Sequence, residues 1–231
     1  MIVYPWPGFP VSHFEMRIVP NQRIFTGPYT PTTQAIDLLG ERWTITLTMT
    51  PTNDPISAAR REAFFDLLQG SVNAVSMGHQ KLTLPQGTMR GQVTQTWKNS
   101  SGATMTWKNA SAATMTWSSG APVVAADIAQ GASTAQIRAV SGETLLAGDM
   151  IALGTQLVRN LVDVTFDSTG LATITFGPRA RTLIPAGSAV LWTAPTANFI
   201  LKPSSSGTAG VPTPWTPGII EGGSTELIEV F

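Results

Sequence analysis

RWTITLTM, residues Arg42–Met49, decides the fold class. Trp43, Ile45, Leu47 and Met49 alternate with Thr44, Thr46 and Thr48. Successive side chains of a strand point to opposite faces, so this run predicts a β-strand with one apolar face and one threonine face. The period then changes. Asn53, Asp54 and Pro55 supply a cap and a proline suited to a first helical turn, and Gly70 supplies a stop. The spacing between them predicts a helix over about residues 57–69. Ala59, Ala63, Phe64 and Leu67 fall on its apolar stripe, with Arg60, Arg61 and Asp66 toward the other side.

Upstream, residues 1–10 carry three prolines alternating with aromatics. Proline has no amide donor, so this arm is expected to lie extended on a surface and not to pair inside a sheet, tethered to its own subunit or docked on a neighbour. Residues 14–19 and 23–25 read as strands, the second ending at Gly27 and Pro28. Downstream, residues 72–77, 81–84 and 88–95 read as extended, with a turn at Pro85, Gln86 and Gly87. Residues 145–153 read as a turn leading into a strand, and further strands are expected over residues 134–140, 157–166, 171–176, 188–192, 197–201 and 225–231, with a hairpin turn from Asp167 to Gly170. Residues 202–210 are Ser/Gly-rich and expected to be mobile.

Short strands with turn signals roughly every 8–12 residues indicate a sandwich or barrel. Composition divides the chain. The helix-bearing part ends near Thr88, a Gly/Ala/Thr-rich stretch follows, and the tail can return to the first part. The expected fold is mostly β: a β-sandwich with one flanking helix from residues 1–88 and 196–231, interrupted by a small inserted β-barrel or β-sandwich over residues 89–195.

Residues 96–117 carry a ten-residue repeat, TWKNSSGATM, copied as TWKNASAATM and then begun a third time. Each unit reads as one short strand plus one polar turn. So few copies do not bury a solenoid's faces, and a hairpin extension with a Met/Trp face is the better reading. Trp97, Trp107 and Trp117 then serve as core, as a subunit seam, or as a platform for a sugar ring flanked by Asn99 and Asn109. Asn99-Ser100-Ser101 and Asn109-Ala110-Ser111 match the glycosylation pattern and are read as chance, since residues 1–10 lack the features of a secretion signal.

Charged residues make up 12% of the 231, and 14 basic side chains balance 14 acidic ones. That composition leaves no electrostatic footprint for nucleic acid and little self-repulsion, so association between copies is easy. With no cysteine, disulfides and thiolate metal sites are excluded. No apolar run is long enough to suggest a membrane span. Catalytic motifs are lacking, and no cofactor is implied. His13 and His79, the two histidines, read as exposed or capping residues. Asp149, at a turn, is read as bonding nearby backbone in preference to a metal. Asp163, Asp167, Glu221 and Glu226 are scattered. Arg179 and Arg181, two apart, read as structural ion-pair partners in preference to a phosphate site. The expectation is a protein that is not an enzyme.

The order ERWTITLTMTP (41–51), ARREAFFDLLQG (59–70) and SVNAVSMG (71–78) resembles the distal tail, or tail-tip baseplate, proteins of long-tailed phages and prophages. LLAGDMIALG (145–154), VDVTFDSTGLATITFGPRART (162–182), PAGSAVLW (185–192) and PTANFIL (195–201) resemble the inserted module of the same family. The resemblance covers about residues 13–201, and the repeat at 96–117 departs from it. It implies a tail-tube-like sandwich whose copies, six in that family, form a ring between the tail tube and the tail-tip hub and fibre proteins. It also implies a virion component made in the bacterial cytoplasm. In some relatives the inserted domain has a carbohydrate-binding fold, so a host surface glycan is the alternative partner.

Overall fold

The computed structural model describes residues 1–26, 33–38, 40–89, 107–108, 110–111, 114–115, 121–202, 215–216, 219–220 and 222–230. Trp97, Trp117 and Glu221, the extended run expected over 90–95, and residues 203–210 lie outside them. In chain order come β1 (Val3–Pro5), β2 (Val11–Val19), β3 (Gln22–Thr26), β4 (Thr33–Asp37), β5 (Arg42–Met49), α1 (Pro55–Leu68) and β6 (Ala74–Gly78). Next are β7 (Trp107–Lys108), β8 (Thr114–Met115), β9 (Val123–Val124), β10 (Thr134–Arg138), β11 (Thr144–Leu145), β12 (Met150–Leu153), β13 (Gln156–Asn160), β14 (Val164–Thr165), β15 (Leu171–Gly177) and β16 (Val190–Leu191). The last stretch holds β17 (Thr196–Leu201), β18 (Trp215–Thr216), β19 (Ile219–Ile220) and β20 (Ser224–Glu229). The chain is mostly β, and α1 is the one helix among the described residues.

Two compact units divide it: Met1–Thr83 with Ala194–Phe231, and Leu84–Thr193. The expected boundaries fell after residue 88 and after residue 195. The first moves because Gln86 and Gly87 donate their backbone N–H groups to Asp149, while Thr88 and Met89 bond to Thr144, all within the second unit.

In the first unit six strands lie in the order β1-β6-β17-β20-β5-β2. Cross-strand partners share a face, so the register carries the period-two pattern across the sheet. Met16 and Leu227 both stand opposite Ile45, Leu201 opposite Leu227, and Phe199 opposite Val75. All of these are buried, as are Trp43, Leu47 and Met49 at 0% exposure. Glu229 also lies in this buried face, and its Oε2 accepts the Trp43 N–H at 2.9 Å, giving the start of β5 an acceptor. The arm was expected to be extended and not to pair inside a sheet; its start, β1, pairs in parallel with β6, Val3 opposite Ala74, and forms the sheet's edge. An edge strand tolerates proline because one row of its amides needs no partner.

Two hairpins of this unit were not read from sequence: β3 with β4, and β18 with β19. Residues 81–84, expected as a strand, form none. There the His79 Nδ1 accepts the N–H groups of Lys81 and Leu82, at 3.2 and 2.9 Å, and holds the chain in a turn.

In the second unit the strand order is β16-β12-β13-β15-β10-β9. Its ends meet: Val124 N–H donates to the Ser188 carbonyl and Val190 N–H to that of Pro122, both at 2.9 Å. The sheet thereby wraps into a barrel, which removes its open edges. Ile137, Ile151, Leu153, Val158, Phe166, Ile174 and Phe176 fill the interior. The single strand expected over 157–166 is broken between β13 and β14. There Asn160 turns its Nδ2 to the carbonyls of Leu145, Leu146 and Val162. The hairpin turn at Asp167 forms: Asp167 Oδ1 accepts the N–H groups of Thr169 and Leu171, and Gly170 takes φ +74.

Candidate functional site

A concave surface lies in the first unit, beside α1. Its local chemistry starts at Asp54, whose carboxylate accepts the Ile56 and Ser57 N–H groups, both at 3.1 Å, and the Ser57 hydroxyl. Those bonds satisfy donors that a helix start leaves unpaired. They hold the Asp54 carboxyl below its ordinary range, the Ser57 hydroxyl being the largest cause. At the other end Gln69 is left-handed and donates its N–H to the Asp66 carbonyl. Asn73 fixes that end to the arm: its Nδ2 donates to the Leu67 carbonyl at 2.9 Å, and its Oδ1 accepts the Ile2 N–H at 3.1 Å.

The apolar stripe of α1 differs from the one expected. Ala58, Arg61, Phe64, Phe65 and Leu68 are buried, whereas Ala59, Ala63 and Leu67 are exposed. Arg61 occupies an inward position by laying down its aliphatic stem, and its Nη1 donates to the Thr50 carbonyl at 3.2 Å. Phe64 meets the arm. Trp6, Phe9 and Phe64 form a triangle of edge-to-face rings, with centroids 5.5, 5.7 and 5.7 Å apart. Such pairs are favoured beyond the area they bury.

Between arm and helix lies a groove of about 590 Å³, walled by Pro7, Phe9, Pro10, Phe64 and Leu67, with Arg60 among its polar lining. Leu67 is 50% exposed there. The same unit bears a second apolar feature. The β3–β4 hairpin exposes Ile24 (65%), Phe25 (49%), Ile36 (50%) and, just beyond β4, Leu38 (50%). Ile24 stands opposite Ala35 while Arg23 stands opposite Ile36, so the apolar side chains occupy both faces of the ribbon. A two-stranded ribbon is marginal by itself in water.

Trp107 of the residues singled out in the sequence lies in β7, opposite Met115 of β8. Asp149 is buried, and its carboxylate accepts the N–H groups of Gln86 (2.6 Å), Leu146 (2.8 Å) and Gly87 (3.2 Å), so it acts as a backbone clamp. Asp163 accepts the Ala147 N–H at 2.6 Å, and Glu226 pairs with Lys202 at 2.6 Å. Arg179 and Arg181 are anchored through their backbone by Gln156, which donates to the Arg179 carbonyl and accepts the Arg181 N–H. His13 is exposed on β2. None of these polar groups is brought into the groove. Among the described residues no three His, Asp or Glu side chains are placed to hold a metal ion, and no helix is long and apolar enough to cross a membrane.

The groove was not legible in the sequence. The signal was the aromatic and proline content of the arm, which was read as tethered to its own subunit or docked on a neighbour, with α1 not named as what it packs on. No protein-family model matches the chain, and no curated protein matches it.

Proposed function

We propose that this protein is a structural subunit of a phage tail tip, whose copies close into a ring that adapts the tail tube to the distal tail and its host-recognition apparatus. The observation that carries the reading is the β3–β4 hairpin. Large apolar side chains half exposed on both faces of a marginal ribbon are stabilised when another surface covers them. A neutral, charge-poor chain offers little electrostatic resistance to meeting its own copy. The resemblance to distal tail proteins supplies the ring, its six copies and its place in the particle.

The test is molar mass in solution by light scattering across a concentration series. The wild type is expected to reach a closed oligomer of fixed mass. Phe25→Asp, at an exposed position, is expected to remain folded by circular dichroism and to shift toward monomer. A wild type that stays monomeric at the highest concentration, with and without purified tail-tube protein, would sink the proposal.

A further inference from the structure

We propose that His79 is an acid-sensitive latch on residues 79–83, the segment by which the chain leaves the first unit. The neutral imidazole holds the segment, and the protonated ring lets it go. This device is independent of whether copies of the chain assemble.

The hold has three parts. The His79 Nδ1 accepts two backbone N–H groups, from Lys81 at 3.2 Å and from Leu82 at 2.9 Å. Two donors converging on one ring nitrogen require that nitrogen to be unprotonated, so the ring carries its hydrogen on Nε2. A half-turn of the ring would set a C–H against both amides, so the same two donors fix its orientation. The ring also packs edge-on against Phe14 of β2, with centroids 4.9 Å apart and planes at 77°. In the strand order β6 is second and β2 is last, so the chain leaving β6 meets the far edge strand at this ring. Thr83, next along the chain, accepts the Ala194 N–H at 2.6 Å, which ties the outgoing segment to the returning one just beyond the latch.

Protonation strikes both amide bonds together. It turns Nδ1 from an acceptor into a donor, which then faces two other donors. Lys81, exposed in the same turn, is a second cation on this segment. On β2, His13 and Glu15 flank Phe14, and strand parity sends both to the opposite face, where they are exposed. Because the neutral ring is the form that holds the amides, the hold is present above the imidazole titration and lost as pH falls through it, at about pH 6.5 for an ordinary histidine. Two bonds in a short turn can open without disturbing the sheet, so the release is local.

The test is exchange of the Lys81 and Leu82 amide hydrogens, followed by NMR at about pH 7.5 and about pH 5.5, each rate divided by that of an unstructured peptide at the same pH. In the wild type the protection of these two amides is expected to fall about tenfold or more in acid, while amides of β6 and β17 keep theirs. His79→Asn puts a carbonyl oxygen near the place of Nδ1 and cannot titrate, so it is expected to keep the protection at both pH values. His13→Asn, which removes the other histidine of the chain, is expected to respond as the wild type does. Equal protection of the wild type at both pH values overturns the latch, as does an acid loss that persists in His79→Asn or vanishes in His13→Asn. Joint loss in β6 and β17 makes the event general acid unfolding and overturns it too. The imidazole nitrogen shifts of the wild type give a measurement that needs no variant: hydrogen on Nε2 is expected at about pH 7.5, and hydrogen on Nδ1 overturns the proposal.

Discussion

Replacing Asp149 by alanine should destabilise the barrel unit strongly, although the residue sits in a turn. Its carboxylate takes three backbone N–H groups, from Gln86 at 2.6 Å, Leu146 at 2.8 Å and Gly87 at 3.2 Å, and its side chain is 1% exposed. Hydrogen bonds to a charged group contribute about 1.5–3 kcal/mol each, and a buried donor left without a partner costs about 1–3 kcal/mol. The Gln86 and Leu146 bonds are partly buried and can recruit water, whereas the Gly87 bond is buried. Counting two bonds at the low end and one near the middle gives a loss of about 4–5 kcal/mol. Asp149→Asn adds a finer test. One carboxylate oxygen serves Gln86, while the other serves both Gly87 and Leu146. An amide in either orientation sets its NH₂ against at least one donor, so a loss of about 1–3 kcal/mol is expected. Amide hydrogen exchange followed by mass spectrometry is the assay. Peptides spanning residues 84–89 and 145–153 should lose protection first, because the Met89 N–H bond to the Thr144 carbonyl depends on that segment staying docked. A shift below about 1 kcal/mol in Asp149→Ala, or wild-type protection at residues 84–89, would refute the clamp.

Gly170→Ala should cost more than about 1 kcal/mol by urea denaturation, because φ is +74 and the added Cβ would meet the Ala139 carbonyl oxygen at 2.3 Å; a neutral result would mean that this turn relaxes freely. Phe199→Ala removes a side chain of 0% exposure from the middle of the six-stranded sheet and should cost about 3–5 kcal/mol, read from exchange in β6 and β20. Asp54 and Asp167 have carboxyl groups held below the ordinary range, chiefly by the Ser57 and Thr169 hydroxyls. Depressed folded values mean that their stabilisation is present above the unfolded value and lost as pH falls through the folded one. The wild type should therefore weaken below about pH 4, and Asp54→Asn/Asp167→Asn should show a shallower acid loss in urea titrations at stepped pH.

The sequence by itself determined the elements whose signals are local. Alternation in Arg42–Met49 gave both the strand and its inner face, because side-chain parity along a strand needs no partner to define it. Asp54, Pro55 and Gly70 marked the ends of α1, and Asp167 to Gly170 the hairpin turn before β15, because caps and turns are closed by bonds between near neighbours. Tertiary structure alone decided what depends on distant partners. The buried side of α1 was rotated from Ala59, Ala63 and Leu67 to Ala58, Arg61, Phe65 and Leu68, since alanines and an arginine stem fit inside or outside equally well until a neighbour chooses. The arm became an edge strand only because β6 offered it carbonyls, and Leu84–Gly87 joined the barrel only because Asp149, 62 residues beyond Gly87, reached back for its amides. Strand order, barrel closure and the groove beside the helix are properties of pairs far apart along the chain, and no short window of residues contains both members of such a pair.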